Sequence, residues 1–181
     1  MSTADPYLEP WMRGHLKDLH PVNAAILYAL EHASEDLAKW TGALSEEQLW
    51  QQFGEVASVG FHVLHIAGSL DRLITYAEGQ PLTRTQLADL SAETSWQPSR
   101  AELFQRLDAA MARASSLIDS VTPEEFGARR ELGRARIPVT LAGLLIHIAE
   151  HTQRHVGQAI VTAKLSGRFA NHFDPATDLR L

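Results

Sequence analysis

A chain of 181 residues with 45% hydrophobic and 21% charged side chains has the composition of one ordinary globular domain, so wholesale disorder, collagen-like repeats and low complexity are excluded. The absence of cysteine removes a disulfide framework, a thiolate zinc site and a cysteine nucleophile, which leaves nine histidines and 22 carboxylates as candidate metal ligands. Sixteen basic side chains against 22 acidic ones give a net charge of −6, a field that repels a phosphate backbone, and no nucleic-acid partner is expected.

Met1 to Pro10 carries two acids and neither a basic nor an apolar run, so it reads as neither a signal nor a transit peptide and a cytoplasmic location is expected. The first helix is expected from Pro21, a residue suited to a first helical turn, to about Thr41, because Val22, Ile26, Ala29, Leu30, Ala33, Leu37 and Trp40 recur at three and four. Gly42 stops it. Leu44, Leu49, Trp50 and Phe53 then fall in a connection with room for a short helical turn before Gly54. Ser58 caps the second helix, whose apolar positions Val59, Val63, Ile66, Leu70, Leu73 and Ala77 run until Gly79 and Pro81.

Gln80 to Pro98 has two prolines and only a weak stripe at Leu87 and Leu90, and it reads as a long connection with one turn inside. Ser99 and Glu102 form a capping-box pattern ahead of the third helix, marked by Leu103, Leu107, Ala110, Ala114, Leu117 and Val121. Thr122-Pro123 ends it. Phe126 to Pro138, rich in arginine, is expected to be irregular or a small hairpin, and the fourth helix runs from about Val139 to Leu165. Its longest apolar run, Leu141 to Ala149, is interrupted by His147 and is too short to span a bilayer, so no membrane segment is expected.

Four long helices without a convincing strand predict an all-α four-helix bundle in a single domain spanning 1–181, with its core at about 21–165 and a C-terminal tail at 166–181. The short first link leaves helices one and two as antiparallel neighbours, and the second link, about 60 Å when extended, can traverse the bundle. Up-down-down-up is the arrangement these links favour.

Five histidines fall in two clusters, His62 and His65 on the second helix and His147, His151 and His155 on the fourth. Positions four apart share a helix face, so His151 and His155 can aim at one ion, whereas His147 and His155 stand about 12 Å apart along the axis and cannot share one zinc. In antiparallel helices His65 stands level with His155. His65 is preferred to His62 as third ligand because it lies between Val63 and Ile66, closer to the bundle interior. The spacing alone leaves another reading open, in which half-buried histidines bond helix carbonyls or carboxylates.

The stretches SVGFHVLHIAGSLDRL (Ser58 to Leu73) and LLIHIAEHTQRHVGQ (Leu144 to Gln158) resemble the DinB/YfiT-like family of predicted metalloenzymes, which carries a histidine on the second helix and HxxxH followed by glycine on the fourth. The resemblance covers about Pro21 to Leu165. It implies an up-down-down-up bundle, metal ligands at His65, His151 and His155, a divalent ion such as zinc or nickel, and often a homodimer. One branch of the family has glutamate at the first ligand position of the fourth helix; His151 stands there in this chain, which weakens transfer of that branch's thiol-dependent isomerase activity.

Three neutral imidazoles leave a divalent charge uncompensated and a coordination position free, the pattern of catalytic zinc. Hydrolysis and thiol transfer are both chemically open to such a site. A metal-dependent hydrolase or thiol-dependent S-transferase acting on a small molecule is therefore expected; the competing class is a non-enzymatic metal or ligand binder linked to stress. His62 is a candidate neighbour or substitute ligand, His147 a candidate neighbour of the ligands or of substrate, and Gln158 shares the face of His151 and His155 and is placed to bond a ligand imidazole. Arg72 follows His65 by seven on one face, to hold an anionic substrate group or to pair with Glu35 or Asp36 of the first helix. Glu150 and Arg154 read as a surface ion pair, and Trp11, Trp40, Trp50 and Trp96 as core or interface anchors. Arg129, Arg130, Arg134 and Arg136 form a basic cluster, read as a solvated loop. The site end of the bundle is expected to be rimmed by 42–57, the segment near Ser99 and the tail, with Phe169, His172, Phe173 and Asp174 covering a pocket mouth.

Overall fold

The computed structural model describes residues 8–166. The expectation placed on Phe169, His172, Phe173 and Asp174 lies outside the described residues. Six α-helices and one hairpin follow in the order α1 (Pro21–Thr41), α2 (Glu46–Trp50), α3 (Val59–Ala77), α4 (Arg84–Ala92), α5 (Arg100–Ser120), β1 (Arg129–Leu132), β2 (Ile137–Thr140) and α6 (Leu141–Leu165). Single 3-10 turns stand at Pro10–Met12 and Pro123–Glu125.

Each of the four long helices starts where a side chain accepts a hydrogen bond from one of its orphan amides: His20 from Val22, Ser58 from Phe61, Ser99 from Glu102 and Thr140 from Gly143. Their apolar stripes meet in one core, with Leu37, Leu70, Leu103, Ile118, Leu145 and Ile148 almost wholly shielded from water. Reciprocal polar ties fasten α1 to α5. Asn23, at the start of α1, donates to the carbonyls of Ile118 (2.8 Å) and Val121 (2.7 Å) at the end of α5. Arg100, at the start of α5, donates to the carbonyls of Thr41, Gly42 and Leu44 where α1 ends. Both ties satisfy acceptors that a helix C-terminus leaves unpaired, and the arginine also meets the negative end of the α1 dipole.

Two segments differ from the sequence reading, and a third, the expected hairpin, is present. The connection 80–98 holds a nine-residue helix, α4, because Thr83 and Gln86 form a capping box that the weak apolar stripe concealed. Leu87 and Leu90 stay exposed, and α4 is seated by Gln86, its buried residue, which donates to the Asp71 carboxylate (2.6 Å) and the Thr75 hydroxyl (2.7 Å) of α3. Val139 belongs to β2, opposite Arg130, so α6 begins at Leu141 behind its Thr140 cap. The hairpin turn contains Gly133 and Arg136 in left-handed conformation, and the Glu131 carboxylate accepts from both Arg129 and Arg136. Arg130 instead donates through Nε to the carbonyl of Ala77 at the end of α3, while Arg134 is exposed.

Trp40 is buried, and Trp50 and Trp96 pack against the core, but Trp11 is 59% exposed and donates its indole N–H to Glu9. The indole of Trp50 lies on the backbone of Gly60 so closely that a Cβ there would meet three ring atoms at 2.7–2.8 Å. No such neighbour exists at Gly157 of α6. Gly60→Ala is expected to destabilise the fold by about 1–3 kcal/mol through overpacking, whereas Gly157→Ala is expected to stabilise it by about 0.5–1 kcal/mol through helix propensity. Urea denaturation of the two variants beside the parent chain checks both signs.

Candidate metal centre

Helices α3 and α6 lie side by side with their numbering in opposition: the Thr162 hydroxyl reaches the Ala57 carbonyl, His62 faces His155, and His65 faces His151. That register brings four imidazoles from two helices together. His65, His151 and His155 each offer a ring nitrogen, and these three atoms lie within 4.8 Å of one another, a group that could hold a divalent metal. His65 Nε2 is 3.1 Å from His151 Nε2, and the His151 and His155 ring centres, one helical turn apart, are separated by 4.6 Å.

His62 stands at the edge of this group, its Nδ1 3.1 Å from Nδ1 of His155. The sequence reading preferred His65 as the more interior of the pair, and the structure reverses that order: His62 is 5% exposed while the His65 side chain keeps 20%. His62 lies one turn beyond Ser58 on the seam facing α6, whereas His65 turns toward the connection after α4. His147 is partly exposed and bonds Glu150, which also pairs with Arg154 at 2.8 Å, so the expected surface ion pair is present and His147 stays outside the three-histidine group. Gln158 is exposed and makes no hydrogen bond to a ligand imidazole among the described residues. It borders a shallow hollow with Glu55, Val56, His62, Arg154 and Thr162, so part of the 42–57 connection does rim this side of the cluster.

The residue that sequence reasoning missed is Glu93, the C-cap of α4, whose buried carboxylate accepts from His65 Nδ1 at 2.8 Å and from Arg72 Nη1 at 2.5 Å. Arg72 therefore pairs with neither Glu35 nor Asp36; Glu35 is taken by Arg13, and Asp36 lies 3.6 Å from His32. A signal was present in the sequence. His65, Gly68 and Arg72 fall on one face of α3, and a buried arginine beside a small residue calls for an acid from a neighbouring element.

Burial alone would raise the Glu93 carboxyl, but the hydrogen bonds from His65 and Arg72 and the charges of both hold it below the usual range. Burial pushes the three imidazoles the other way. His62 falls below its ordinary value through desolvation and the nearby His65, and His151 through desolvation and its neighbours. His155 drops to about 4, from desolvation first and then from the charges of His65, His151 and His62. All three are neutral near pH 7, the form in which imidazole ligates a metal. His151 Nδ1 is also buried without a hydrogen-bond partner. An all-nitrogen cluster in which His151 and His155 are neutral, with an orphaned ring nitrogen, fits a divalent ion of the borderline-soft kind.

A sequence model of the DinB superfamily matches residues 29–159. The chain belongs to the DinB superfamily. Its fold is similar to a solved structure described as a conserved protein from Enterococcus faecalis, with a TM-score of 0.68 and 19% identity over 82% of this chain and 98% of that one. No curated protein sequence matches. No helix among the described residues is long and apolar enough to cross a membrane.

The direction of the histidine shifts fixes a pH dependence. An imidazole whose pKa is depressed by folding binds its proton more readily in the unfolded chain, so the metal-free protein is expected to lose stability as pH falls from about 6.5 through about 4. Denaturation midpoints of metal-free parent and His155→Gln across this window check it, and the variant should show the shallower decline. Equal slopes would assign the acid sensitivity to other groups.

Proposed function

We propose that this DinB superfamily member is a metal-dependent enzyme acting on a small molecule, a hydrolase or thiol-dependent S-transferase, with His65, His151 and His155 as ligands of a zinc or nickel ion. The observation that carries this reading is the convergence of three imidazoles from two helices, His65, His151 and His155, on one point. A divalent ion on three neutral ligands supplies an uncompensated charge and a free coordination position, able to acidify a water or thiol or to polarise a carbonyl.

The protein's own part is to place the ligands and shape the approach. Neutral His62, beside His155, is placed to hold or pass a proton at a ring nitrogen. The hollow at Glu55, Arg154 and Gln158 offers a small substrate charged and neutral polar contacts next to Val56. An up-down-down-up bundle is part of the proposal: the ties of Asn23 to Ile118 and of Arg100 to Thr41 support opposed α1 and α5, the register of His65 with His151 supports opposed α3 and α6, and the short link between α1 and α3 favours an opposed pair there as well. A homodimer would cover Ile146, exposed beside the apolar positions Val22, Ala25 and Ala29.

One observation favours the second reading, a binder without turnover. Both oxygens of Glu93, the carboxylate that bonds a histidine of the cluster, are engaged by His65 and Arg72, which leaves it poorly placed as a general base. Metal analysis of the purified protein, followed by ester, amide and thiol-transfer substrates, separates the two: inactivity of the metal-loaded protein on all three classes favours the binder. His65→Ala, His151→Ala and His155→Ala are each expected to lower metal occupancy strongly, because each removes one of three coordinate bonds. His15→Ala and His32→Ala, whose rings pair with Glu31 and Asp36 away from the cluster, are expected to leave it unchanged. Unaltered stoichiometry in all three site variants would falsify the ligand assignment.

A further inference from the structure

Two histidines of α3 lie within reach of His151 and His155, and their surroundings differ in one respect. His65 Nδ1 is 2.8 Å from a carboxylate oxygen of Glu93, whereas His62 Nδ1 faces another imidazole nitrogen at 3.1 Å. An ionised carboxylate can only accept, so a hydrogen sits on His65 Nδ1, and in the neutral ring, the form that ligates a metal, the lone pair is on Nε2. That Nε2 is the atom 3.1 Å from His151 Nε2, inside the cluster. With His65 Nε2 as acceptor, the shared hydrogen belongs to His151 Nε2, and His151 Nδ1 is left as a bare lone pair, matching its place as a buried atom without a partner. One carboxylate thus orders the tautomers of two rings.

The carboxylate is itself held. Its second oxygen accepts from Arg72 Nη1 at 2.5 Å, and the pair occupies a slot on α3 that exists because residue 68 is glycine: a Cβ there would stand 2.5 Å from Glu93 Oε1 and 2.9 Å from Arg72 Nη1. His65, Gly68 and Arg72 therefore form one device on successive turns of one face, and Glu93 enters it from the end of α4.

We infer that Glu93 is the positioning residue of the metal centre, selecting His65 over His62 as the α3 ligand by fixing its Nδ1–H tautomer and presenting Nε2 to a divalent cation. The inference rests on the three-histidine reading. It assigns Arg72 to the support of Glu93 and Gly68 to the space both occupy. Partners of this kind raise ligand basicity and fix ring orientation, and their loss commonly costs tenfold or more in metal affinity.

The test uses the full chain, Zn2+ against a competing chelator, and long-range proton–nitrogen correlation spectra of the histidine rings in metal-free protein. Glu93→Ala should weaken Zn2+ binding by about tenfold or more and release His65 into a mixture of tautomers. Gly68→Ala, which touches no ligand and improves helix propensity, should weaken binding in the same direction by displacing the carboxylate. Glu93→Gln, the same size but with one acceptor oxygen for the two donors Arg72 and His65, should hold the His65 tautomer less firmly than the parent chain and weaken Zn2+ binding. Should Glu93→Ala fail to fold, Gly68→Ala decides: altered His65 ring signals with weaker Zn2+ binding support the assignment. Unchanged signals and affinity in a folded Glu93→Ala or Gly68→Ala variant overturn it. A different result, parent-like Zn2+ binding by His65→Ala, sinks the three-histidine reading, and the tautomer spectra still report whether Glu93 orders His65.

Discussion

The opposed register of α3 and α6 is the constraint on which the site depends. Neither helix holds a complete set of ligating groups: α6 supplies two imidazoles one turn apart, and α3 must bring its own to the same level. Apolar packing fixes that level, because Ile66 and Leu70 of α3 and Leu145 and Ile148 of α6 are buried in the same core as the helices' neighbours. A slip of one turn along this seam, about 5.4 Å, would carry His65 past His151 altogether. The position of four polar rings is thus set by hydrophobic residues that touch none of the chemistry.

Burial of those rings has a cost that the arrangement turns to account. An imidazole removed from water and crowded by others resists protonation, so His62, His151 and His155 stay neutral where a lone surface histidine would be partly charged. Glu93 brings no unpaired charge to the cluster, since Arg72 bonds its second oxygen from the other side. The buried ion pair sits one hydrogen bond away from the rings, and it orders them without presenting an unpaired charge to them.

Much of this was legible in the chain itself. Strong periodic stripes with N-cap residues at Ser58 and Ser99 located the long helices closely, and the i, i+4 pair at His151 and His155 with His65 at matching depth identified the cluster now seen. What escaped was carried by polar contacts between distant segments. α4 has no apolar face to announce it, since Gln86 is its buried residue, and a carboxylate that meets its partners 21 and 28 positions away leaves no periodic trace. The greater burial of His62 escaped for a related reason: position on a helix gives a face, and which neighbour covers that face depends on packing that the stripe does not encode.

The way α4 is fastened gives the protein two levels of cohesion. The long helices are joined through apolar surface, while α4 rests on α3 by the bonds of Gln86 and Glu93, with Leu87 and Leu90 left to solvent. An element held by a few polar bonds opens at lower free energy than the core around it. Glu93 belongs to that element, whereas the four imidazoles stand on α3 and α6. How firmly the rings are ordered is thereby tied to how firmly Gln86 and Glu93 hold α4 on α3.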